Sequence, residues 1–172
     1  MAMSLLFPAI TALPEPQGDR LATFAKAPYF RDVLSAPLSK SPASPSQLQY
    51  GIFNYLPGWV NGLMSVRNRI VKRLGFEVGQ TSMVPSSDQW QVGTKAGFLT
   101  VMEITDDEII SMADDRHMTF FISVKKTETS VIVSTLVNQK TLIGRVYVNA
   151  ILPFHHLIAR TVINNAVKAK RI

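Results

Sequence analysis

The chain has 172 residues, 47% of them apolar, with no cysteine and with 18 Lys plus Arg against 12 Asp plus Glu, a net charge of +6. That length suits one globular domain burying roughly 70% of its unfolded-chain surface. The composition excludes a disordered chain and a disulfide framework, and the missing thiol removes cysteine nucleophiles, iron–sulfur ligation and Cys-type zinc sites.

Residues 1–28 are Pro-punctuated and unpatterned, which predicts an extended N-terminal arm. Their short apolar run has no preceding Lys or Arg and is interrupted by Pro8 and Pro14, so no cleaved leader is read and a cytoplasmic setting is expected. Tyr29 to Leu38 reads as a first strand, closed by Pro37. After a Ser/Pro loop, Ser39 to Ser46, comes a short helix, Gln47 to Leu56. Pro57 ends it and, with Gly58, opens a second helix, Trp59 to Leu74, with Gly75 as its stop.

From Gly79 the period turns strand-like. The predicted strands are Met83 to Val92, Gly97 to Ile104, Glu108 to Ala113, Arg116 to Lys125, Ser130 to Asn138 and Leu142 to Ala150. Short polar joints such as Asp114-Asp115 imply hairpins and hence an antiparallel sheet. Within Arg116 to Lys125, Met118, Phe120, Ile122 and Val124 share a face, which is read as the buried one. Pro153 is read as the start of a final helix to about Lys168. No stretch reaches the ~20 uncharged apolar residues of a membrane span; the nearest, Val146 to Ile158, holds Asn149, Pro153 and two His.

This order predicts an α+β fold: a curved antiparallel sheet of about seven strands, two helices between its first two strands, and a long C-terminal helix over an apolar interior, all within residues 29–172. The order resembles the helix-grip fold of the START and birch-pollen-allergen superfamily, whose last helix covers a sheet wrapped round a cavity. The stretches Arg67-Asn68-Arg69-Ile70-Val71, Asp114-Asp115-Arg116-His117-Met118, Gly144-Arg145-Val146-Tyr147 and Pro153-Phe154-His155-His156-Leu157-Ile158 resemble the bacterial family known as domain of unknown function twenty-eight sixty-seven, from about Tyr29 to Ala166. That resemblance implies a fold and no activity. Members also occur fused to dehydrogenase-like nucleotide-binding domains, which makes a dehydrogenase-like partner one alternative.

The basic excess sits largely in two clusters, Arg67 to Arg73 and Lys168 to Arg171, without interleaved aromatics or a nucleic-acid-binding motif. No nucleic-acid partner is expected, and an anionic membrane surface stays open to these clusters as a contact.

On a helical wheel Trp59, Val60, Leu63, Met64, Ile70, Val71 and Leu74 form an apolar sector with Arg67 near its middle, opposite Asn61, Ser65, Asn68 and Lys72. A cation there must find a carboxylate, with Asp114, Asp115 or Glu103 as candidates, or point into a wet enclosed space and anchor an acidic or carbonyl head. Arg145 and Tyr147 alternate onto one strand face, which is either the sheet exterior or a cavity wall. His117 follows two carboxylates, and His155 lies among the apolar residues of the last helix. His155 and His156 point about 100° apart on a helix, so no shared ion is expected and no metal or other cofactor is read.

The preferred expectation is a receptor for a mostly apolar small molecule. Its cavity is walled by Phe98, Met102, Met118, Phe120, Ile122, Tyr147, Phe154 and Ile158, with Arg67, Arg145, His117 and His155 as polar contacts. The alternatives are a cyclase- or isomerase-like enzyme using His117 or His155, and a solid-cored interaction module. No catalytic signature and no oligomeric state are read from the pattern.

Overall fold

The computed structural model describes residues 6–16, 19–39, 43–73, 75 and 84–172. The alternating segments become β1 (Thr11–Ala12), β2 (Tyr29–Pro37), β3 (Lys95–Ala96), β4 (Leu99–Ile104), β5 (Glu108–Asp114), β6 (Met118–Lys126) and β7 (Ser130–Gln139). Three helices are described: α1 (Pro45–Phe53), α2 (Gly58–Arg73) and α3 (Leu142–Lys168). The strands form one sheet in the order β1-β2-β7-β6-β5-β4-β3, every neighbouring pair antiparallel. This is the expected α+β arrangement, with the element order of a helix grip.

The hairpin joints behave as their polar residues dictate. Asp115 Oδ1 accepts from the backbone N–H groups of His117 (2.7 Å) and Met118 (2.9 Å), closing the β5–β6 turn. Ser44 caps α1 with a reciprocal capping box to Gln47, and Pro45 follows at its first position. In β4 the register slips between Val101 and Glu103, a bulge at Met102 that bends this edge of the sheet.

Both faces of the sheet are covered. On the helix side Leu34, Ile109, Val124 and Val133 pack with Leu48 and Ile52 of α1 and Val162, Ile163 and Ala166 of α3. On the far side Ile110, Phe121 and Leu136 pack with Leu21, which sits in a 3-10 turn, Arg20–Phe24, of the N-terminal segment. The single buried face expected for β6 is therefore a correction: Phe121 and Ser123 are buried as well. The arm is held to the sheet by Asn138, whose Oδ1 accepts from Lys26 N (2.9 Å) and whose Nδ2 donates to Phe24 O (2.8 Å), and by Arg31, which pairs with Asp19 and with Glu15 at 3.5 Å.

Leu21 is 0% exposed. Leu21→Ala is accordingly expected to cost about 2–5 kcal/mol in denaturant unfolding; a cost near zero would mean that the arm does not pack.

Two predicted strands are corrected. Leu142 to Ala150 is the first third of α3, which runs unbroken through Pro153. Thr141 starts it by accepting from Gly144 N at 3.1 Å, and burial then recurs every four residues at Gly144 and Val148, so helical packing overrides β-branched propensity. Met83 itself lies outside the described residues. The remainder, to Val92, is a loop with a 3-10 turn at Ser87–Gln89, because Trp90 turns back to donate its Nε1–H to Pro85 O at 3.2 Å. Thr11–Ala12 and Lys95–Ala96 supply the strands that these segments do not.

By length and composition alone α3 reaches the threshold of a bilayer-crossing helix, a test that the core helices of soluble proteins also pass. It packs instead against α1, β2 and β7.

Candidate functional site

Between the helix side of the sheet and the three helices lies a half-enclosed cavity of about 1820 Å³. Its walls are mainly apolar, and of the predicted wall residues Phe98, Met118, Phe120, Ile122, Tyr147, Phe154 and Ile158 line it. Met102 does not, because the bulge in β4 turns it out of the alternation.

α2 presents Val60, Leu63, Met64 and Arg67 to this space. Of the apolar sector read from the wheel, Val60, Leu63, Met64, Ile70 and Val71 line the cavity, Trp59 does not and is 48% exposed, and Leu74 lies outside the described residues. Asn68, placed on the far side by the wheel, also lines the cavity and accepts from Arg67 Nη1 at 2.9 Å. Arg67 Nε donates to Tyr147 Oη at 2.6 Å, and its guanidinium carbon lies 5.5 Å from the centre of the Tyr147 ring. This contact ties α2 to α3.

Among the described residues no carboxylate pairs with Arg67. The three candidates are engaged elsewhere: Glu103 with Arg20 (3.5 Å), Asp114 with Lys140 (2.5 Å), and Asp115 with the turn backbone. Burial opposes charge on Asp114, but its hydrogen bonds from Lys140 and Thr119 outweigh that and hold its carboxyl below the usual carboxylate range. Among the described residues the partners of Arg67 are thus the neutral Tyr147 and Asn68, beside an apolar space.

Two predicted contacts are not at the cavity. Arg145 is exposed, because on a helix it lies about 200° round from Tyr147 instead of sharing a strand face with it. His117 is buried behind the wall, its Nδ1 2.9 Å from Thr141 Oγ1 and its carbonyl accepting from Lys140 N at 2.9 Å, so it anchors the start of α3.

His155 does line the cavity, and it brings residues that the sequence reading missed. Its Nε2 lies 3.3 Å from Asp32 Oδ2, and His156 Nδ1 lies 3.4 Å from the same oxygen. Neighbouring helical histidines thus reach one point, one through its distal and one through its proximal nitrogen, which corrects the geometric ground on which a shared ion was set aside. Phe30 stands edge-on to both rings, at 5.4 and 6.0 Å. Burial raises the pKa of Asp32, but the contact and charge of His155, with the charges of His156 and Arg160, outweigh it and keep the carboxyl below its ordinary range. The only signal in the sequence was an acid at an inward-facing position of β2, opposite Thr135.

A family model described as Protein of unknown function (DUF2867) matches residues 24–162. No curated protein and no solved structure matches the chain.

Proposed function

Since the chain belongs to the DUF2867 family of proteins of unknown function, we propose its role from its own geometry: it binds a mostly apolar small molecule with an acidic or carbonyl head. The observation that carries this reading is Arg67, a cation whose partners among the described residues are neutral, beside an apolar cavity of about 1820 Å³. Typical small-molecule sites occupy about 300–1,000 Å³. The larger space here suits an extended chain or a multi-ring skeleton. Met64, Met112 and Met118 on the walls adapt to varied apolar shapes. Arg67 then orients the head, since a charge-assisted hydrogen bond is worth about 1.5–3 kcal/mol.

The test is thermal unfolding against a panel of fatty acids, sterols and aromatic polyketides. A ligand that binds only the native state adds ~2.7 kcal/mol at about 100 Kd. For a chain of this size that raises Tm by about 5–10 °C. A Tm that stays level across the panel, with a partner protein co-purifying, would instead favour the interaction-module alternative.

A further inference from the structure

We propose that Asp32, His155 and His156 form a divalent metal site of the zinc type, with an open coordination position toward the cavity. The three ligand atoms, Asp32 Oδ2, His155 Nε2 and His156 Nδ1, all lie within 4.8 Å of one another. The two contacts to Asp32 measure 3.3 and 3.4 Å. Ligands about 2.1 Å from a tetrahedral ion stand about 3.4 Å apart along each edge. The spacing is therefore that of two edges of a zinc coordination polyhedron.

Each of the three atoms is buried, and among the described residues none makes an aligned hydrogen bond, their only close polar neighbours being one another. Buried polar atoms without such a partner are rare, and one ion placed among them would satisfy all three. Two imidazoles and a carboxylate are a donor set for zinc, cobalt(II) or iron(II). The set is also preorganised: Asp32 is fixed by the β2–β7 ladder, the histidines by α3, and Phe30 holds both imidazoles edge-on.

Asp32 and His155 line the cavity, so a fourth position there is available to water or to the head of a bound molecule. One charge opposes a dication: Arg160, which also acts on Asp32 and is held by a 3.2 Å hydrogen bond to the His156 carbonyl. This site does not depend on the apolar-ligand reading, because ion binding is measured on the chain alone.

The experiment is titration of the metal-stripped full chain with Zn2+ by calorimetry and with Co2+ by visible absorption. One equivalent is expected to bind, with cobalt d–d bands of tetrahedral intensity and a Tm that rises with metal concentration. Asp32→Asn, His155→Gln and His156→Gln are each expected to weaken binding by more than about a hundredfold, beyond the tenfold to hundredfold cost of losing an outer-shell partner. His117→Gln should leave the affinity unchanged, and Arg160→Gln should tighten it. Circular dichroism of the metal-free variants checks that each is folded, and Asp32→Asn keeps the shape of the side chain if a histidine variant does not fold. Absence of saturable binding by the parent chain, or binding that survives in folded Asp32→Asn, overturns the proposal.

Discussion

Gly144→Ala is expected to destabilise the protein, although the same change inside a helix ordinarily stabilises by about 1 kcal/mol. Gly144 lies in the first turn of α3, where that helix meets the β6 end of the sheet. A Cβ built there falls 2.3 Å from the His117 carbonyl oxygen and 3.1 Å from its carbon, both backbone atoms that cannot swing away. The same carbonyl accepts from Lys140 N at 2.9 Å, and the His117 ring contacts the capping Thr141. Relieving the clash therefore means moving the helix start and loosening its cap. Overpacking of this kind costs about 1–3 kcal/mol, or roughly 2–12 °C in Tm for a chain of this size. Gly62, in the second turn of α2, is the control: a Cβ there meets nothing within 4 Å. Gly62→Ala should raise stability by up to about 1 kcal/mol. Opposite signs for the two glycines would verify the close approach of α3, and equal signs would refute it.

The second large effect falls on ligand selectivity. If Arg67 anchors an acidic head, Arg67→Leu is expected to keep the fold and the affinity for a long-chain alcohol, yet to lose the parent's preference for the matching carboxylate. Removing a charge-assisted hydrogen bond of about 1.5–3 kcal/mol corresponds to roughly a tenfold to hundredfold loss. Tyr147→Phe should give a smaller loss in the same direction, because it removes the hydroxyl that accepts from Arg67 Nε at 2.6 Å and leaves the guanidinium less fixed. Direct titration of the acid and the alcohol against each variant measures both affinities. An unchanged acid preference in Arg67→Leu would move the head group to another part of the cavity.

Much of the sheet was legible because its residues are constrained locally. In β5, β6 and β7 two alternating faces are punctuated by turn residues, Asp114-Asp115 above all, where the Asp115 side chain makes the bonds that close the turn. Pro57 marked the boundary between α1 and α2 in the same way, whereas Pro45, read within the Ser/Pro loop, is the first residue of α1. Leu142 to Ala150 was misread because Val146, Tyr147 and Val148 favour strands when taken alone. The helix there is settled by the Thr141 cap and by the burial of Gly144 and Val148 against other elements. Arg67 could be found as a charge within an apolar stripe. The Asp32, His155 and His156 cluster could not, since it depends on the register in which α3 crosses β2.

By itself the sequence determined the α+β class, the antiparallel hairpins, the long covering helix and an inward-facing cation on α2. Periodicity and turn chemistry act within a few residues, so they can be read without knowing what packs against them. The tertiary structure alone decided that the cavity stays open, that the first segment seals the far face of the sheet, and that Arg145 and His117 stand away from the cavity while two adjacent histidines converge on one partly buried carboxylate. Those outcomes depend on angles and distances between elements far apart in the chain, and no local pattern of residues encodes them.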